Sequence, residues 1–227
     1  MRYKVNGKII RSENSAKPTN TASKLVLEHI DALPREYNVL DMGCGKLRHT
    51  IPLSKRVAHV TAVDSKEQVY RKQVIAGKKS ISIYEYADRY LPNVTIATIG
   101  NTRWKRSRFD FVLIAHVLSA IPDIIARINV LRDGANVLKR RTGHMLIVTN
   151  FSNTRFRAWE KASRATAYLD GWIIENKKGV SFFGLISVHE LIRYCLEIGL
   201  RIIQSRTVNG CIAIVEAAHQ VKKRKKE

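Results

Sequence analysis

The chain has 227 residues, of which 45% are hydrophobic and 26% charged, ordinary values for a soluble globular protein with one sizeable core. Forty Lys and Arg stand against 19 Asp and Glu, giving a formal net charge of +21 and a pI near 10.2. Nucleic acid therefore ranks first among expected partners, ahead of membrane surface or acidic protein. Cys44, Cys195 and Cys211 are too few and too scattered for a disulfide framework or a zinc site. No apolar run approaches the roughly 18 residues of a membrane span, and "MRYKVNGKII" lacks the apolar stretch of a signal peptide. The expected setting is cytoplasmic, with no membrane partner.

Residues 1–20 read as a polar, basic N-terminal segment, with "SENSAKPTN" marking loop. A helix is predicted from about Thr21 to Ala32, with Leu25, Val26, His29, Ile30 and Leu33 at helical spacing. Five apolar runs of strand length follow: "YNVLD", "HVTAV", "VTIATI", "FDFVLIA" and "HMLIVT". Helical patterns lie between them at about 66–76, 80–91 and 122–140. Continuous apolar strands alternating with helices predict a parallel sheet covered on both faces. "SVHELIRYCLEIG" then reads as a helix closed by Gly199, and "LRIIQS" and "CIAIVEA" flank a hairpin-type turn at "RTVNG".

"VLDMGCG" ends the first of those strands on Asp41, and Gly43 and Gly45 permit a tight backbone turn beside a ligand. Lys46 is followed by Leu47, which excludes a P-loop. A dinucleotide fingerprint would carry a third glycine where Arg48 stands, and Pro52 fits best as the first residue of a delayed helix. Both features count against a pyrophosphate ligand. A second carboxylate, Asp64, ends the next strand.

These motifs and the strand order resemble class I S-adenosylmethionine-dependent methyltransferases over residues 21–149 and 187–217. The resemblance implies a Rossmann-like α/β fold: a mostly parallel seven-stranded sheet, helices on both faces and an antiparallel C-terminal strand pair. It also implies S-adenosylmethionine as cofactor. Asp41 and the Gly43–Cys44–Gly45 backbone would surround the methionine part, with Arg48 nearby. Asp64, followed by Ser65, would hold the ribose hydroxyls. A carboxylate accepts from two vicinal hydroxyls and repels a phosphate. Asn101, after the third strand, best matches the residue that contacts adenine. Asn is a departure from the commoner Asp there, and an ordinary turn is an equal alternative.

"FDFVLIAHVLSAIPD" resembles the segment whose strand end, here Ala115, borders the transferred methyl. It lacks the Asn/Asp-Pro-Pro-Tyr/Phe of exocyclic base-amine methylation and the aspartate of a Lys-Asp-Lys-Glu tetrad. His116 is the one ionisable group there, either a catalytic base or a histidine packed over the cofactor. Cys44 reads as a small loop residue rather than a nucleophile.

An insert at about 150–185 does not fit a minimal core. Phe151, Phe156, Trp159, Tyr168, Trp172, Phe182 and Phe183 fall in it, interleaved with Arg155, Arg157, Lys161 and Arg164. The last three recur at helical spacing. Aromatics beside cations suit unpaired bases and phosphates, as well as a lid packed on the core. "TRWKRSR" adds Arg103 and Lys105, and residues 218–227 form a basic tail. The domain is expected at 21–217. The leading functional expectation is methyl transfer to nucleic acid, RNA before DNA. The alternatives are a small-molecule or protein methyltransferase, and a non-catalytic RNA-binding module of the same fold.

Overall fold

The structure, a computed structural model, describes residues 1–151, 161–177 and 179–220. The apolar runs become β3 (Asn38–Met42), β4 (His59–Asp64), β7 (Val94–Thr98), β8 (Phe111–Ala115) and β9 (His144–Asn150). These five are mutually parallel. β14 (Ile212–His219) joins β9 antiparallel, and β13 (Leu200–Val208) completes a seven-stranded sheet of order β13-β14-β9-β8-β3-β4-β7. The β13–β14 turn takes Asn209 and Gly210 through φ of 50° and 61°, which an Asn-Gly pair accommodates. The expected α/β architecture is the one observed.

Helices cover both faces because the inner strands are apolar on both sides. α5 (Ile124–Val137) and α6 (Val188–Glu197) pack on one face with Leu40, Val112, Ile114 and Met145. α1 (Lys24–Asp31) and α2 (Thr50–Arg56) pack on the other with Val39, Phe111 and Leu113. α4 (Ile83–Tyr90) and α6 each begin with a complete capping box, Ser82 with Glu85 and Ser187 with Glu190, each cap contributing about 1 kcal/mol.

Several local expectations shift. The first helix starts at Lys24, after a 3₁₀ turn over Thr19–Thr21. α2 starts at Thr50, so Pro52 is its third residue, still within the first turn where no N–H partner is needed. The helix expected at 66–76 stops after α3 (Lys66–Tyr70). A hairpin of β5 (Gln73–Ile75) and β6 (Lys78–Ile81) follows, turning at Ala76 and Gly77 with φ of 45° and 81°.

The N-terminal segment holds two strands ahead of the stretch expected as loop, and that stretch itself forms two 3₁₀ turns, Ser12–Ser15 and Thr19–Thr21. β1 (Arg2–Val5) and β2 (Lys8–Arg11) form a hairpin that meets the insert. The insert itself forms β10 (Ala165–Tyr168), β11 (Gly171–Asn176) and β12 (Gly179–Gly184), giving a second sheet of order β1-β2-β12-β11-β10. Its small core is Val5, Ile10, Ile173 and Phe182. Lys161 and Arg164 sit in a turn before β10, not on a helical face. Of the tail expected at 218–227, Ala218 and His219 end β14; Arg155, Arg157, Trp159 and residues 221–227 lie outside the described residues.

The second sheet is anchored to the first. Arg127 of α5, 1% exposed, donates two hydrogen bonds to Asp170 in the β10–β11 turn, at 2.6 and 2.8 Å. Its Nε donates to the Ile121 carbonyl at 2.8 Å, and its guanidinium lies 5.7 Å from the Phe182 ring centroid.

Candidate active site

A cavity of about 290 Å³ opens where β3, β4, β8 and β9 end. Ligand sites in open parallel sheets gather at these carboxyl ends. Its floor is the loop after β3 with the ends of β4 and β8. Its opposite wall is the second sheet and the 3₁₀ turn after β2, through Glu13, Ala16, Ile174, Ser181, Phe182 and Phe183.

The loop after β3 is shaped by its glycines. Gly43 and Gly45 adopt φ of 77° and 58°, and both Gly43 and Cys44 donate their N–H to the Val63 carbonyl. A Cβ on Gly43 would lie 2.4 Å from Val117, so only glycine leaves that wall of the cavity in place.

Asp64 lines the cavity at the end of β4. One carboxylate oxygen accepts the Gly45 N–H at 2.8 Å and the other accepts the Ser65 N–H at 2.7 Å. Each oxygen keeps a second lone pair, so the group can accept from two vicinal hydroxyls without losing its own anchors. Burial pushes its pKa up and the two backbone N–H groups oppose that. Ser65 caps α3, and Gln68 behind it donates to the Gly45 carbonyl.

Asp41 does not line the cavity. It is 2% exposed and accepts from the Thr50 hydroxyl at 2.6 Å, tying the end of β3 to the first turn of α2. Burial pushes its pKa up to about 6, against the Thr50 hydrogen bond and the nearby Arg48 charge. Arg48, buried, reaches the cavity and donates to the Thr21 carbonyl at 3.3 Å.

His116 follows β8 with φ of 60°, and its N–H donates to the Val148 carbonyl. Its Nδ1 is buried with no hydrogen-bond partner among the described residues. Burial, with the charges of Arg48 and Lys17, holds its pKa well below 6.5, against an opposing contribution from Asn150. The imidazole is therefore neutral near pH 7. His49, also in the cavity wall, is pushed down to about 3 by burial and the same two cations.

The structure brings Gly43, Cys44, Gly45, Arg48, Asp64, Ser65, Ala115 and His116 together around one cavity. Cys44 is buried there, its thiol pKa raised well above 9 by that burial, which suits a loop residue and not a nucleophile. Asn101 is outside the cavity: it is exposed, and its side chain accepts from the Arg103 N–H to cap a 3₁₀ turn. Ile99 and the buried Trp104 stand in the wall instead. Arg103 and Lys105 do not line it: Arg103 is exposed, and Lys105 pairs at 2.7 Å with Asp133, which does line it. Sequence reasoning missed the N-terminal contribution, Glu13 to Lys17. Its signal, the alternation in "RYKV" and "KIIR", is too short to separate from loop.

A tight glycine loop, a carboxylate with lone pairs free for a ribose, and an apolar wall at Ile99 and Trp104 fit S-adenosylmethionine. The sequence model of a family described as "Methyltransferase domain" matches residues 14–205. Uncharacterized protein YmfD of Escherichia coli K12 is 34% identical over 224 residues, 94% of this chain and 98% of that protein. Among solved structures, the PH0226 protein of Pyrococcus horikoshii superposes with a TM-score of 0.68 at 16% identity, covering 93% of this chain and 100% of that one. The 1,6-didemethyltoxoflavin-N1-methyltransferase of Burkholderia thailandensis, in complex with its substrate and S-adenosylhomocysteine, superposes with a TM-score of 0.58 at 18% identity, covering 87% and 78%.

Proposed function

This chain belongs to the methyltransferase-domain family and is an S-adenosylmethionine-dependent methyltransferase; on that footing, we propose that its acceptor is a small molecule held between the two sheets. The observation that carries this reading is the second sheet, whose Ile174, Ser181, Phe182 and Phe183 form the wall facing the loop after β3. A cavity of about 290 Å³ walled on that side suits a compact acceptor better than a polynucleotide. The structurally similar Burkholderia thailandensis enzyme holds 1,6-didemethyltoxoflavin, a small molecule, together with S-adenosylhomocysteine.

The cofactor supplies an electrophilic methyl on a sulfonium. The chain's own work is then binding and alignment. In this reading Asp64 holds the ribose hydroxyls and the Gly43–Gly45 backbone lies against the methionine part. Arg48 faces the carboxylate, and Asp41 holds the loop in shape through Thr50. His116, neutral, lines the cavity beside Ala115, and in this reading its imidazole packs against the acceptor and aims its hydroxyl or amine. It acts by orienting, because its depressed pKa makes it a weak proton acceptor. Residues 1–20 and the insert serve as acceptor wall for a methyltransferase domain over 21–217.

The net charge of +21 favours a second reading, RNA as acceptor, with Arg103, Lys105, Lys161 and Arg164 on its path. Label transfer from methyl-labelled S-adenosylmethionine into separated small-molecule, RNA, DNA and protein fractions distinguishes the two, with Asp64→Ala as blank. Label among small molecules supports the first reading; label in RNA replaces it with the second. Asp64→Ala is expected to weaken cofactor binding on the order of 100-fold in calorimetry, since charge-assisted hydrogen bonds contribute about 1.5–3 kcal/mol each. Wild-type affinity in that variant would remove Asp64 from the site.

A further inference from the structure

Away from the cavity, α3, the β5–β6 hairpin and α4 build one exposed face that combines cations with aromatic rings. Tyr70, Tyr84 and Tyr90 are 52%, 47% and 47% exposed, far more than a packed tyrosine needs. The Tyr70 and Tyr84 rings lie 5.9 Å apart between centroids, and Lys78 stands 5.7 Å over the Tyr90 ring. A groove between hairpin and helix is lined by Lys72, Lys78, Lys79 and Arg89, with Glu85 the carboxylate among them, ion-paired to Lys72. The hairpin owes this display to its turn: Ala76 and Gly77, both at positive φ, reverse the chain so that Lys78 and Lys79 follow at its tip. Over Lys66–Tyr90 six Lys and Arg face three Asp and Glu.

We propose that this face is a docking surface for single-stranded nucleic acid, with phosphates on Lys72, Lys78, Lys79 and Arg89 and unpaired bases stacked on Tyr70, Tyr84 and Tyr90. Stacking on aromatic rings beside a cationic groove is how sequence-tolerant single-strand binders work. A duplex would hide its base faces from the rings. A membrane is disfavoured because Val74 is the one exposed large aliphatic side chain from Lys66 to Tyr90 and would have to supply the insertion. The surface accounts for part of the molecule's positive charge without routing a polymer into the cavity, and it stands whether the methylated acceptor is small or not.

The test is fluorescence anisotropy of the full chain with a labelled oligouridylate across a salt series. It compares wild type, Lys78→Gln/Lys79→Gln and Tyr70→Ser/Tyr84→Ser, with thermal melts and cofactor titrations confirming that each variant is folded. The lysine variant is expected to bind more weakly, with a log–log salt slope shallower by about 1.4. The tyrosine variant is expected to keep the slope and lose at least roughly fivefold in affinity. Wild-type binding in the lysine variant, or no binding by the wild type at low salt, overturns the proposal. An unaffected tyrosine variant reduces the surface to bare charge and overturns it too. So does capture of phosphatidylserine vesicles that is lost in these variants while oligouridylate binding is kept.

Discussion

Asp41 carries a carboxylate whose pKa burial pushes up to about 6, yet among the described residues it accepts only the Thr50 hydroxyl. A carboxyl raised on folding takes up a proton as the chain folds, so its contribution is most favourable below about pH 4 and is lost as pH rises through 6. The charged form then costs about 3 kcal/mol at pH 7. Asp41→Asn keeps an acceptor for Thr50 and removes that cost. Urea titrations should show the variant more stable than wild type at pH 7 and a smaller fall in stability between pH 4 and 6, with Asp64 still contributing. Equal stabilities at pH 7 would contradict the buried-charge account. Gly43→Ala tests the neighbouring turn. Left-handed backbone costs an alanine about 1–2 kcal/mol, and its Cβ must displace Val117, next to His116. Cofactor affinity should therefore fall further than stability does. For His116, a pKa well below 6.5 predicts a kcat/KM profile with no limb near pH 6.5; a limb there lost in His116→Gln would make it a titrating base.

The second sheet is the element that walls the cavity opposite the loop after β3, and Arg127 is its fastening. Asp170→Ala would leave the Arg127 guanidinium buried beside Phe182 without its counter-ion, at a cost of about 3–5 kcal/mol. Arg127→Met removes the buried charge and leaves Asp170 partly in water, so chemical denaturation should rank it as the milder change. The reverse ranking would mean that the ion pair does not hold the sheet. The α3–β5–β6 segment shows why an element can be misread. Lys66–Ala76 has helical apolar spacing at Tyr70 and Val74, but Gln73 accepts from Gln68 and Arg71 side chains, and the chain turns instead at Ala76–Gly77. Those partners outweigh local propensity, which is a weak prior over a few residues.

A molecule with a formal charge of +21 repels itself. Its thermal midpoint should rise between about 0.01 M and about 0.15 M ionic strength, where the Debye length shrinks from about 30 to about 8 Å. A flat response would mean that the charges are already compensated by close pairing. The described pairs involve few of the 40 cations: Arg127 with Asp170, Lys139 with Asp110, Lys105 with Asp133 and a handful more. No described helix is long and apolar enough to cross a membrane.

Reading residues in order was enough for the seven-stranded sheet, the glycine loop and Asp64, because each rests on short-range patterning: apolar runs, a turn that tolerates positive φ, a carboxylate at a strand end. Reading in order did not show that Arg2–Arg11 and Ala165–Gly184 meet in one sheet, since a pairing about 170 residues apart leaves no periodicity in either segment. Nor could it separate Asp41 from Asp64, which look alike in sequence. Burial and partners separate them: one carboxylate turned inward to Thr50, the other left with lone pairs facing the cavity.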